Sequence, residues 1–286
     1  MNQNRNFLED SFYPQIPFEK YTKLTKMLRE FFLEKKGFME VHPQNRLAIL
    51  SACENPHSIA QFSYDGTNWP LPQTGQMTLE DYLLLHPEQK GFVCVTTSYR
   101  NEKNPEPGRH AKIFPMFEFE LHGTFMDLIE LEKELLVHLG FTENYFLNSY
   151  ENVSKEFGVE EIDSKTELEV ASKHGNVFFL THFPESTNPF WNMKRNIHGT
   201  AQKCDVLLHG METIGSAERS CDPEEMRERF FNIEGGKYAE KLFELFGEHR
   251  VIQELNQFLS HNFFVRSGGG IGLTRLVRAM ELSNLL

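Results

Sequence analysis

Residues 92–122 read FVCVTTSYRNEKNPEPGRHAKIFPMFEFELH, two β-prone runs either side of a polar loop. The first, 92–99, is rich in β-branched and aromatic residues, as a strand is, and 114–122 is its partner. Two such strands need more strands beside them and helices over them. Upstream, 18–36 carries Tyr21, Leu24, Met27, Leu28, Phe31 and Phe32 at the i, i+3, i+4 spacing of an amphipathic helix. Gly37 stops that helix, and 38–41 reads as a short strand running into Pro43. Residues 71–75 (LPQTG) are turn-like, and 79–85 and 127–139 are helical. Residues 176–183 and 203–214 read as strands, 222–260 as mostly helix, and 267–280 as a glycine run opening onto a helix. Long hairpins with helices between them predict an α+β fold, an antiparallel β-sheet flanked by helices. No linker interrupts the pattern, so one domain over 1–286 is expected.

Composition narrows the class. With 40% hydrophobic residues and 26 Phe, the 286-residue chain can build a full-sized core. The 29 Lys+Arg against 41 Asp+Glu give a formal charge of −12, which disfavours broad contact with a phosphate backbone but not a local cationic pocket. Cys53, Cys94, Cys204 and Cys221 are scattered without a CxxC pair. That argues against a zinc site or disulfide framework and for a reducing cytoplasm. No apolar run approaches the roughly 18 residues of a membrane helix, and the N-terminus MNQNRNFLEDSFY lacks the basic-then-apolar order of a secretory signal. Membrane, secreted and disordered classes are therefore excluded. The twelve His form no HExxH pair, and GxSxG is absent, so no hydrolase motif is present.

Three segments can carry chemistry. On the hairpin, alternate residues share a face, which pairs Arg100 with Glu102 and Glu118 with Glu120. A guanidinium for phosphate, a carboxylate for a base amino group and the flat ring of Phe114 suit a nucleotide; Arg109 and His110 extend the cationic reach. Ordinary cross-strand ion pairs on a solvated face account for the same pattern. In the second segment, 204–219, a tight turn at His209-Gly210 would set Leu207 opposite Glu212, with Asp205 diagonal on the same face. Two such carboxylates suit Mg2+ shared with substrate phosphates, or simply an acidic surface. Arg219, just beyond, offers a partner for a substrate carboxylate. The third is Gly268, Gly269, Gly270 and Gly272 before Arg275, where a bare backbone and a helix N-terminus favour an anion. It matches neither the dinucleotide fingerprint nor the P-loop.

The order of these pieces resembles the class II aminoacyl-tRNA synthetases. Gly37-Phe-Met-Glu-Val-His-Pro43 is similar to their motif 1. Tyr99-Arg-Asn-Glu102, Gly108-Arg-His110 and Phe114-Pro-Met-Phe-Glu-Phe-Glu120 resemble motif 2, and Gly268-Gly-Gly-Ile-Gly-Leu-Thr-Arg-Leu276 resembles motif 3. Residues 210–219 and 183–191 look like the aspartate/asparagine subgroup. The resemblance covers roughly 18–282.

It implies ATP and Mg2+ as cofactors. Arg100 would hold the α-phosphate, Glu102 the adenine amino group, Phe114 the adenine ring, Arg275 the γ-phosphate, and Gly272 would also line the nucleotide. Arg100 and Arg275 would be catalytic, with Arg109 and His110 closing over ATP. Asp205 and Glu212 would bind Mg2+. Arg219 would clamp the side-chain end of the amino acid, with Glu118, Gln76 and Gly270 completing its site. Two positions depart from the subgroup: Asn188 stands where the aspartate enzymes have Lys, and Met116 where Gln is usual. Motif 1 beginning near residue 18 implies no anticodon-binding domain.

The function implied is an AMP-forming ligase similar to ammonia-dependent asparagine synthetase, passing an activated aspartate or close analogue to ammonia or another small amine in amino-acid biosynthesis. The alternatives are aminoacylation of a tRNA or other carrier, and a non-catalytic paralogue that binds an amino acid or nucleotide. Retention of Arg100, Arg219 and Arg275 counts against the last. A homodimer through 18–43 is also implied.

Overall fold

The computed structural model describes residues 12–43, 47–50 and 54–286; Cys53 and all but the last two residues of the N-terminal stretch quoted above lie outside the described residues. Helix α1 (Phe18–Arg29) runs into a π-helical turn, Glu30–Lys35. There Lys36 N donates to Phe31 O (3.0 Å), and Gly37 ends it at φ +76°, a conformation glycine adopts at little cost. Next come β1 (Met39–Glu40), β2 (Gln61–Tyr64), β3 (Thr67–Pro70), α2 (Gln76–Leu85), β4 (Gly91–Tyr99) and β5 (Ile113–His122). Then follow α3 (Phe125–His138), β6 (Phe146–Ser149), α4 (Tyr150–Phe157), α5 (Ser164–His174), β7 (Val177–Phe183), β8 (Ala201–Leu208) and β9 (Glu212–Glu218). The chain ends with α6 (Pro223–Asn232), α7 (Lys237–Phe246), α8 (Glu248–Leu259), β10 (Arg266–Gly272) and α9 (Leu273–Leu282).

Eight strands form one sheet in the order β1-β4-β5-β10-β9-β8-β7-β6. The six central strands are antiparallel, while β1 joins β4 and β6 joins β7 in parallel at the two edges. The expected α+β class, an antiparallel sheet flanked by helices, is the one observed.

The two faces of the sheet differ sharply. Phe117, Phe119, Val206, Ile214 and Ile271 turn to the back, where they pack with Leu24, Leu28 and Phe32 before β1, Leu128 and Leu135 of α3, and Leu276 of α9. Each such side chain contributes about 1.5–3 kcal/mol by leaving water. On the front, α2 lays Leu79 and Leu83 over Phe92 and Cys94. Helices α4 and α5 set Val153 and Val170 against Phe178 and Leu180. Helices α6, α7 and α8 enclose Trp191 and Phe230 in a separate core. Between these covers the front of β5, β10 and β9 stays accessible, and the site lies there.

The glycine run corrects the sequence reading. It is not a loop before a helix but strand β10, in the middle of the sheet, with α9 starting at Leu273. Its register sets Gly268 opposite Glu120, Gly270 opposite Glu118 and Gly272 opposite Met116. A Cβ on Gly268 would stand 1.8 Å from Glu120 Oε2, and one on Gly270 would stand 2.8 Å from Met116 Cε. Side chains of β5 lie across a bare strand, so the glycines answer to packing. The hairpin β2–β3 and the elements β6, α4 and α5 were not anticipated. The hairpin turns at Asp65-Gly66, both at positive φ, as a two-residue primed turn requires.

Candidate active site

Strand β4 ends at Tyr99 and so delivers Arg100 to the sheet's rim, where its backbone N donates to Lys112 O (2.7 Å) and pins the mouth of the β4–β5 hairpin. Its Nη2 donates to Glu54 Oε2 (2.8 Å), and its guanidinium stands 5.6 Å from the centre of the Phe114 ring. Glu102 faces His110 at 3.2 Å. Arg109 is tethered away from the hairpin by Glu167 of α5 and by the Gly210 carbonyl (3.3 Å). Arg275, in the first turn of α9, donates to Glu212 O (2.8 Å) and Arg109 O (3.3 Å).

These groups, with Gly270 and Gly272, line a single cavity of about 330 Å3. Its cations crowd one another: burial, then the Arg275 charge, lower the Arg109 pKa. Three guanidiniums and the N-terminus of α9 around one cavity make a receptor for a polyanion.

The β8–β9 hairpin supplies the carboxylates. Its turn is His209-Gly210, both at positive φ, and Leu207 pairs with Glu212 as the spacing predicts. One extra residue, Thr213, then shifts the register so that Asp205 pairs with Gly215. A Cβ on Gly215 would stand 2.8 Å from Glu212 Oε1 and 3.6 Å from Asp205 Oδ1. Both carboxylates therefore lean over one bare stretch of backbone.

Burial drives the Asp205 pKa up, opposed by Lys203, whose Nζ donates to Oδ2 (2.6 Å). The other oxygen, Oδ1, is buried without a hydrogen-bond partner. For Glu212 burial also works upward, but Arg275, Lys203 and Arg100 outweigh it and hold the pKa below its ordinary value. An orphaned carboxylate oxygen beside a second carboxylate is a donor set that Mg2+ uses together with phosphates. Among the described residues no group of three or more His, Cys, Asp or Glu could hold a metal by itself.

Four predicted residues stand apart from the cavity. Asp205 sits behind its wall. Glu118 is fully buried, accepting from the Gly75 backbone N (2.9 Å), Thr74 and Thr96. Gln76 opens α2 beside it, its Nε2 3.7 Å from where a Gly270 Cβ would be. Arg219 differs most from expectation. Its fork is closed on Glu120 (3.1 and 3.2 Å), with Glu80 of α2 at 3.6 Å, and it is 2% exposed. Arg266 completes the group, donating twice to Glu80 (2.8 and 3.0 Å), and Asn192 donates to the same carboxylate (2.6 Å). The carboxylate that fills the Arg219 fork is thus the protein's own, because α2 and β5 each bring a glutamate to it.

The sequence reading overlooks Glu54 and Lys203. Both, with Arg100, form a wall shared between the first cavity and a second of about 470 Å3, which is also lined by Phe183, Asn188 and Tyr238. The signal was available for Lys203: two residues before Asp205 on a strand, it shares that residue's face.

The central antiparallel sheet with its glycine strand and motif residues on one face is the class II synthetase catalytic fold. Asparaginyl-tRNA synthetase from Pyrococcus horikoshii, solved with asparaginyl-adenylate, superposes with a TM-score of 0.75 at 19% identity, over 93% of this chain and 65% of that one. The Entamoeba histolytica asparaginyl-tRNA synthetase, also solved with the adenylate, gives 0.73 at 18%, over 92% and 63%. The family model for tRNA synthetases class II (D, K and N) matches residues 14–284, and the chain belongs to that family. An aspartate–tRNA(Asp/Asn) ligase from Methanopyrus kandleri is 23% identical over 72% of this chain; the chain spans 53%, about half, of that relative. Among the described residues no helix is long and apolar enough to cross a membrane.

Proposed function

We propose that the protein is an ATP-dependent, AMP-forming ligase that activates aspartate or a close analogue as an acyl-adenylate and passes the acyl group to ammonia or another small amine. The observation that carries this reading is the convergence of Arg100, Phe114 and Arg275 on one cavity, with Glu212 in its wall and Asp205 just behind it. Phe114 would stack on the adenine, Glu102 accept from its amino group, Arg100 hold the α-phosphate and Arg275 the γ-phosphate. Arg109 and His110 would cover the nucleotide, and Gly272 would let the backbone approach it. Asp205 and Glu212 would hold Mg2+, which supplies charge neutralisation on the polyphosphate.

The carboxylate oxygen forms a bond to the α-phosphorus while the α–β bridging P–O bond breaks, and pyrophosphate leaves with the electron pair. A neutral amine then adds to the acyl carbon, AMP leaves with the C–O electrons, and the amine gives up a proton to water. Neither step needs a protein nucleophile; both need positioning and cationic support.

The acceptor divides two readings. A formal charge of −12 favours a small acceptor over a long polyanion. Transfer to tRNA is the second reading, favoured by the similarity to an aspartate–tRNA(Asp/Asn) ligase. A homodimer through α1 and the edge strand β1, where Phe18 and Met39 are 77% and 51% exposed, accompanies either. The test is to follow ATP consumption across amino acids with ammonium, with tRNA and with neither, measuring AMP and ADP together. AMP formed with aspartate and ammonium supports the first reading, and AMP formed only with tRNA supports the second. ADP and phosphate would overturn both.

A further inference from the structure

If the site adenylates a carboxylic acid, the acid must reach Arg100 from somewhere other than the Arg219 fork, which Glu120 and Glu80 close. The second cavity offers that route. It meets the nucleotide cavity along the wall of Glu54, Arg100 and Lys203. Of the two cations in the wall, Arg100 is already bound to Glu54 and faces Phe114. Lys203 stands at the junction, its Nζ 3.9 Å from the centre of the Phe183 ring and 2.6 Å from Asp205 Oδ2. An ammonium has three donors, and one hydrogen bond to Asp205 leaves donors for an incoming anion.

We infer that Lys203 binds the reacting carboxylate of the acid substrate, which lies in the second cavity with its body along the wall of Phe183 and Tyr238 and its carboxylate turned toward Arg100. This deepens the adenylating reading and rests on it for the chemistry, but the binding itself is testable without ATP. The class of ligand is a free carboxylic acid small enough for about 470 Å3, held by its charge on a fixed lysine. Lys203 reaches both cavities from strand β8, so its position is set by the sheet and not by a loop.

The experiment compares the wild type with Lys203→Met and Lys203→Arg. Thermal unfolding is first recorded with a panel of free amino acids and simple dicarboxylic acids, without nucleotide. The inference predicts that at least one acid raises the wild-type midpoint, that the methionine variant loses this shift, and that the arginine variant keeps part of it. In acid-dependent ATP–pyrophosphate exchange, Lys203→Met should raise KM for the acid about tenfold or more, and by a larger factor than it raises KM for MgATP. No shift with any acid in the wild type, or an equal shift in the methionine variant, overturns the inference. So does a variant whose Mg2+ requirement alone changes, since Lys203 would then be only the counter-ion of Asp205. Absence of exchange in a wild type that does bind an acid at Lys203 would instead overturn the adenylating reading and leave the acid site standing. A melting transition in each variant, with MgATP still raising its midpoint, separates lost binding from lost folding.

Discussion

Two groups of arginines lie on the same face of one sheet and do opposite things. Arg219 and Arg266 are shut in with Glu80 and Glu120, all four at 2% exposure or less, and every carboxylate there has an arginine donor. Arg100, Arg109 and Arg275 line an open cavity, and several of their bonds go to main-chain carbonyls. The closed group has matched charges and no access for a ligand. The open group has carboxylate partners too, Glu54 for Arg100, Glu167 for Arg109 and Glu212 for Arg275, but it borders a cavity that something arriving from solvent can enter. Residue type alone does not separate the two groups, and neither does a carboxylate partner; what separates them is whether the guanidinium borders an open cavity.

That contrast can be broken most directly at Arg219. Arg219→Ala leaves Glu120 and Glu80 buried with fewer donors, and breaking a buried pair of this kind costs about 3–5 kcal/mol. The loss should appear in urea unfolding. Replacing Arg219 and Glu120 together by Met should recover most of it, because two apolar side chains leave no orphan charge. A fully stable Arg219→Ala protein that has lost only amino-acid recognition would reverse the assignment and restore the clamp that the family resemblance implies.

The boundary of the closed group is set by β10. Gly268→Ala would press a methyl against the Glu120 carboxylate, since that Cβ would lie 1.8 Å from Oε2. Overpacking of this sort costs about 1–3 kcal/mol, again read by unfolding. The open group should answer differently. Arg275→Ala should change stability by less than about 1 kcal/mol but raise KM for MgATP about tenfold.

A pH-dependent effect is expected on the far side of the sheet. Glu132 of α3 is fully buried beside Ser216 and Cys204, and burial, which these neighbours only partly oppose, pushes its pKa up to about 8 from an ordinary 4.5. Between those values the folded protein keeps a proton that the unfolded chain has lost. Its contribution therefore makes stability fall as pH rises from about 4.5 to about 8. Glu132→Gln should flatten that slope, measured as the unfolding midpoint against pH; an unchanged slope would show that Glu132 does not carry it.

The parts of the fold legible in the sequence are those that local rules decide. Gly37 ends its helix, His209-Gly210 makes its turn, and the 92–122 hairpin forms because both strands carry their own β composition. The hairpin at Asp65-Gly66 was equally readable, since Asp-Gly is a strong primed-turn signal. The glycine strand was not. Glycine disfavours strands by itself, and its place there follows from the neighbours that lie against it, Met116, Glu118 and Glu120 of β5 and Ser216 of β9. The motif residues of the open cavity followed from the family pattern, whereas closure of the Arg219 fork depends on Glu80, on a helix far away in sequence. Edge strand β6, with Phe146 and Leu147 exposed, lacks the in–out alternation that marks a half-buried strand.

The central claim is that a carboxylate attacks the α-phosphorus of ATP within the open cavity. It is tested most directly by supplying the acid substrate with heavy oxygen in its carboxylate and analysing the products by mass spectrometry. The account predicts that, once the acyl group has been transferred, one labelled oxygen is found in the phosphate of AMP and none in pyrophosphate. Label in inorganic phosphate, with ADP as the nucleotide product, would contradict it.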